Sequence, residues 1–316
     1  MPSLAVLGAG VMGSNHGRIA ATLHGVELTH VVDADIDRAK GLAAAHGAVA
    51  LTDVEDIIGR VDAAVIALPT ALHAPIAEHL LDAGIHCLVE KPIAGSLEDA
   101  DRILAAARRS GATLMVGHVE RFNPAVLELD NLLEDVVHIE ASRMGPFSAR
   151  VSDGIVLDLM VHDLDLVCSI ARSEVETIYA TSQHRRSESE DLACALLVFR
   201  NGITANLTAS RLGQQKIRQL MITQAESFVT ADLLRVDVTV NRVSHSEYVG
   251  DGGARYRQSG IVEIPMLEHR GEPLALELRE FVDAFSAGRA PRVTGDDGRT
   301  ALDLALRVTA RAGGPG

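Results

Sequence analysis

Two short stretches hold the residues best suited to chemistry. In CLVEKPIA, residues 87–94, an apolar run ends in Glu90, Lys91 and Pro92, in a chain whose only other lysines are Lys40 and Lys216. In VLDLMVHDLDLV, Asp158 and His162 stand four apart, hence on one face of a helix predicted over about Val156 to Ile170, with Asp165 three further on. Oxidation of a secondary alcohol needs a base for the hydroxyl proton while hydride departs, and imidazole, with an ordinary pKa of about 6.5, suits that task. A neighbouring carboxylate can orient the ring or hold a substrate hydroxyl, and a lysine ammonium can stabilise the alkoxide-like oxygen. The same spacing also fits an ordinary helix-face pair worth a few tenths of a kcal/mol. Residue types alone leave both readings open, and His73 and His118 are ambiguous in the same way.

A third stretch concerns a cofactor. GAGVMG, Gly8 to Gly13, follows an apolar strand directly and opens a helix. In that context Gly8 permits a tight turn, Gly10 lets backbone approach a pyrophosphate, and Gly13 lets the helix pack on the strand, with Val11 and Met12 between them. About twenty residues on, Asp33 ends the second strand, where its carboxylate can accept from an adenosine ribose and repel a 2′-phosphate. NAD is therefore expected rather than NADP, although Arg38 lies close enough in sequence to meet such a phosphate.

These residues need a scaffold that brings strand ends together. Apolar strands are predicted at Leu4 to Leu7, Leu28 to Val32, Ala63 to Leu68, His86 to Val89 and Leu114 to Val116, with helices between them. Their uniform apolarity implies a doubly wound parallel sheet covered on both faces, whose carboxyl edge is where ligands bind. Lys91 sits at that edge. After about Gly117, longer strands alternate in polarity and Asn201-Gly202 gives a hairpin signal, so an α+β region with a large, mainly antiparallel open sheet should follow. Helices are also predicted near Leu274 to Ser286 and Asp297 to Ala310. The expected division is an α/β Rossmann domain over 1–120 and an α+β substrate and oligomerisation domain over 121–316, its C-terminal helices packing back on the first.

Composition excludes several partners. With 316 residues, 47% hydrophobic and 23% charged, the chain can bury more than one core. A formal charge of −14 argues against a nucleic-acid surface. Cys87, Cys168 and Cys194 lie in apolar surroundings without metal spacing, so buried free thiols and no metal are expected. No charged leader and no run of about 18 apolar residues is present, which leads to the expectation of a cytoplasmic protein without a membrane partner.

GAGVMG, the LP and His73 of LPTALH, EKP and the DLMVHDLD helix, in this order and at these separations, resemble the Gfo/Idh/MocA oxidoreductase family over nearly the whole chain. The resemblance implies a Rossmann domain followed by a domain whose open sheet forms a homodimer or homotetramer interface. It implies that Lys91 reaches the nicotinamide and the reacting hydroxyl, that Glu90 and Pro92 shape the turn, that His162 is the base and Asp158 the substrate-binding acid. It also places Pro69, Thr70, His73 and Glu90 on the cofactor side with the glycine loop. VGHVERFNPAV, SRMGPFSARVSDGIVLDLMVHDLD, ASRLGQQKIRQLMIT and GDDGRTALDLAL are similar to the branch of UDP-N-acetylglucosamine 3-dehydrogenases, which oxidise the sugar C3 hydroxyl to a ketone. By that likeness Arg121, Asn123 and Arg143 become substrate-side candidates. Arg143, Arg150 and Arg211 could meet a diphosphate through bidentate hydrogen bonds. The alternatives are a free-sugar or inositol-like polyol dehydrogenase of the same fold and a non-enzymatic dinucleotide and sugar sensor; retention of both Lys91 and His162 argues against the sensor.

Overall fold

A computed structural model describes residues 1–147, 154–250 and 253–313, with side chains outside 245–257. The chain divides into two compact units, Met1–Phe122 with Gly271–Asp303, and Asn123–Arg270 with Leu304–Gly316.

The first unit carries strands β1 (Ser3–Leu7), β2 (Glu27–Val32), β3 (Val49–Leu51), β4 (Ala63–Ile66), β5 (His86–Glu90) and β6 (Leu114–Gly117). They form one parallel sheet in the order β3-β2-β1-β4-β5-β6, with the reversal of strand order beside β1 and β4. Residues 63–66 of β4 are fully buried, as a strand covered on both faces requires. The α-helices of the whole chain are α1 (Val11–Ala20), α2 (Ile36–His46), α3 (His73–Asp82), α4 (Leu97–Ser110), α5 (Pro124–Leu132), α6 (Val161–Ala171), α7 (Pro273–Ala287) and α8 (Gly295–Ala312). Their ends follow local chemistry. Ser96 caps α4 by accepting from the Asp99 N–H at 3.1 Å while its own hydroxyl donates to Asp99, and Gly111 ends the helix in the left-handed region at φ 73°. The edge strand β3, three residues long, has no counterpart in the sequence expectation; its pattern is too short to register.

The second unit holds β7 (Val136–Met144), β8 (Val175–Gln183), β9 (Leu192–Phe199), β10 (Thr204–Ser210), β11 (Ile217–Gln224), β12 (Phe228–Asp232), β13 (Asp237–Gly250) and β14 (Gly253–Glu263). The sheet order is β14-β13-β12-β11-β7-β10-β9-β8, antiparallel throughout except for the β7–β10 pair. In β9 burial alternates strictly, Ala193, Ala195, Leu197 and Phe199 facing the core. Asn201-Gly202 closes the β9–β10 hairpin, with Gly202 at φ 88°. Helices α5 and α6 pack on this sheet. The helix expected from Val156 opens instead as a π-helical turn over Val156–Met160 and becomes α-helical at Val161. The wider turn changes the angle between Asp158 and His162, so the simple one-face argument does not carry across it. Among the described residues no helix is long and apolar enough to cross a membrane.

Candidate functional site

In the first unit the glycine loop joins β1 to α1. The Gly8 N–H donates to the Val32 carbonyl at 2.7 Å, and Gly8 takes φ +94° with its α-carbon against the Ala67 carbonyl. A side chain at Gly13 would collide with the Gly8 carbonyl, so α1 can cross the turn this closely only with glycine. Gly10 faces open space and caps α1 without a side-chain bond. The first amides of α1, which have no acceptor within the helix, thus stand behind backbone that a phosphate can approach. This cradle fits a dinucleotide. Val11 and Met12 expose apolar side chains on it.

Asp33 fastens the loop. Its Oδ2 accepts from the Ala9 N–H at 2.7 Å and its Oδ1 from the Asp35 N–H at 2.9 Å. Both oxygens keep lone pairs for a ribose hydroxyl. Arg38 donates through Nε to Asp35 at 3.1 Å, an exposed pair on the first turn of α2. Asp35, which also caps that helix, adds a second carboxylate near the end of β2.

The ends of β4 and β5 meet through His73. Its buried ring lies 2.8 Å from the Leu68 carbonyl through Nε2 and 2.9 Å from the Pro92 carbonyl through Nδ1. A neutral imidazole can donate to only one of these carbonyls, so His73 is hydrogen-bonded to one strand end and packs against the other. Pro69 and Thr70 form the intervening 3₁₀ turn. Lys91, half-buried, begins the turn after β5; the Lys91–Pro92 peptide is cis, and the Lys91 N–H donates to Glu90 Oε2 at 3.3 Å. Glu90 Oε1 lies 2.7 Å from His16 Nε2, and both side chains are buried. Arg121 is buried as well, its Nη2 donating to the Arg292 carbonyl at 3.4 Å.

In the second unit Asp158 stands on the π-helical turn with Arg211 Nη2 3.8 Å from its carboxylate, and His162 follows on the first turn of α6, half-buried. Two substrate-side candidates are placed in structural roles. Arg143, 2% exposed, is turned onto Asp163 of α6, with Nη2 donating at 2.8 Å and Nε at 3.0 Å. A guanidinium forked onto a buried carboxylate has part of its donor set taken up within the protein. Asn123 caps α5, accepting from the Ala125 N–H at 3.1 Å and donating to the Leu233 carbonyl at 2.9 Å. Arg150 lies outside the described residues.

Sequence reasoning passed over three anchors. Asp191, fully buried, accepts from the N–H groups of Arg185 at 2.7 Å and Arg186 at 2.6 Å and from the Ser187 hydroxyl at 2.7 Å, while its own carbonyl accepts from the Arg211 N–H. His16 and Glu277 join Glu90 in a cluster whose ligand atoms lie within 4.8 Å of one another. Glu277 was detectable in principle, as an acid on the apolar face that Leu274, Leu278 and Phe281 define. Of the cysteines only Cys87 is fully enclosed, burial pushing its thiol pKa up; Cys168 and Cys194 are half-buried, and none of the three forms a disulfide.

Two family models match the chain, that of an oxidoreductase family with an NAD-binding Rossmann fold over residues 3–118 and that of the Gfo/Idh/MocA C-terminal domain over 130–225. UDP-N-acetylglucosamine 3-dehydrogenase of Acidithiobacillus ferrooxidans is 30% identical over 305 residues, 96% of this chain and 95% of the relative. A solved structure of that enzyme superposes with a TM-score of 0.89 at 29% identity, covering 98% of this chain and 97% of the other. Myo-inositol 2-dehydrogenase of Thermotoga maritima is 26% identical, with 95% of this chain and 93% of the relative covered.

Proposed function

Because the chain belongs to the Gfo/Idh/MocA oxidoreductase family, we propose that it oxidises the C3 hydroxyl of a UDP-N-acetylamino sugar, passing hydride to NAD. It is an NAD-binding oxidoreductase of the sugar and polyol dehydrogenase kind. The observation that carries the finer reading is likeness along 96% of the chain to an enzyme of that name, with Lys91, Asp158 and His162 all present.

NAD, held by Gly8, Gly10, Gly13 and Asp33, supplies the hydride acceptor. His162 takes the hydroxyl proton. The Lys91 ammonium stabilises the negative charge that grows on the same oxygen, and Asp158, steadied by Arg211, holds a neighbouring substrate hydroxyl. Asp33 and Asp35 together disfavour the extra phosphate of NADP. Subunits assemble through the open face of the second unit's sheet, where Tyr179, 63% exposed, borders a concavity of ≈ 570 Å³ that includes Thr181, Leu196 and Asn206.

The enclosure of Arg143 favours one alternative, a smaller polyol substrate, because Asp163 takes up part of the donor set that a diphosphate would use. Calorimetry in the presence of NADH separates the two. UDP-N-acetylglucosamine should bind more tightly than N-acetylglucosamine or myo-inositol, and nicotinamide absorbance should report its oxidation. Equal affinity for free and UDP-linked sugar would leave the polyol reading in front.

A further inference from the structure

Glu277 presents an unsolved account of charge. It is fully buried on α7, and among the described residues neither carboxylate oxygen has a hydrogen-bond partner. An ionised carboxylate in that position would bear a desolvation cost that nothing offsets. Its neighbours are His16 from α1 and Glu90 from the end of β5, with one ligand atom of each within 4.8 Å of the others. Glu90 is differently placed, since it faces two donors, the His16 ring at Nε2 and the Lys91 N–H. Two acids this close in a buried cluster do not both ionise, and the one without donors keeps the proton. Burial and then the charge of Glu90 both push the Glu277 pKa up. With Nε2–H directed at Glu90, His16 Nδ1 is a bare lone pair, also buried and without a partner among the described residues. A protonated Glu277 adds no second charge beside Glu90.

We propose that Glu277 is a positioning residue for Lys91: as a neutral acid behind Glu90 it leaves Glu90 the single carboxylate anion of the cluster, and Glu90 in turn fixes the main chain at Lys91. The proposal rests on the assignment of Lys91 above. A divalent metal fits the cluster less well. His16 Nε2 and Glu90 Oε1 are 2.7 Å apart, a hydrogen-bond distance, whereas two ligands of tetrahedral zinc at about 2.1 Å stand about 3.4 Å from each other.

Three variants of the full-length protein and one spectrum test this. Infrared difference spectra of wild type minus Glu277→Gln at pH 8 should show the carbonyl stretch of one protonated carboxyl. Glu277→Gln, neutral at every pH, should keep kcat within about threefold and leave its pH profile unchanged. Glu277→Leu, which removes the polar group beside Glu90 and His16, should lower kcat about tenfold or more with little change in KM for NAD, as expected for a misplaced catalytic group. Glu90→Gln should reproduce that loss. Absence of the protonated-carboxyl band, full activity in Glu277→Leu, or one bound metal per wild-type chain by elemental analysis would each overturn the proposal. Should Glu277→Leu fail to fold, the spectrum and Glu277→Gln still decide. A wild type inactive on every sugar and polyol would count against the proposed function, while the infrared band reads the cluster independently.

Discussion

Lys91 and His162 have different supports, and their variants should fail differently. Lys91→Ala and His162→Ala are each expected to lower kcat about a hundredfold or more, through lost charge stabilisation and lost proton transfer. NADH should still bind the His162 variant in a fluorescence titration, because the glycine loop and Asp33 are untouched. Asp33→Ala removes the acceptor for the Ala9 and Asp35 N–H groups, so it should weaken NAD binding and narrow the preference over NADP. Wild-type preference for NADP would refute that role. Arg143 belongs to stability. Arg143→Ala leaves Asp163 buried without its fork, and a cost of about 3–5 kcal/mol is expected in the denaturant midpoint. The glycine loop was legible in sequence because its chemistry is local: turn, approach and acid are set by spacing. Arg143 was not, since its partner comes twenty residues later on another element and burial decides which of many arginines meets a ligand.

At the scale of elements, strands and helices followed from apolar runs and caps, but departures from regularity did not. The π-helical turn bearing Asp158 leaves no period that hydrophobicity can reveal. The segment of residues 185–187 depends on one buried acid a few residues further on. Burial pushes the Asp191 pKa up, but hydrogen bonds from the Arg186 N–H, the Ser187 hydroxyl and the Arg185 N–H hold it far below the ordinary value near 3.8. A carboxylate with a depressed folded-state pKa adds stability that is complete above its unfolded value and is lost only as pH falls through the lower folded one. Amide-exchange protection at Arg185, Arg186 and Ser187 should therefore persist at pH 4 in the wild type and be missing in Asp191→Ala. Equal protection in both would show that the segment is held by other means.

The whole molecule is built from interrupted segments. The first unit takes up the chain again at Gly271, and α7 buries Leu274, Leu278, Phe281, Val282 and Phe285. At about 1.5–3 kcal/mol each, those side chains contribute as much as the entire stability of a typical domain. A fragment of residues 1–122 should lack a cooperative thermal transition and NADH binding, and joining residues 271–303 to it should restore both. The parallel pairing of β7 has a different kind of consequence. Both its neighbours, β10 and β11, come later in the chain, and β11 begins at Ile217 whereas β7 ends at Met144. A ribosome adding about 5–20 residues per second leaves this central strand with an open edge for roughly 4–15 s. His138 and Glu140, two apart on the outer face of β7, place charge or polarity along that waiting strand, where another nascent chain would otherwise find a template.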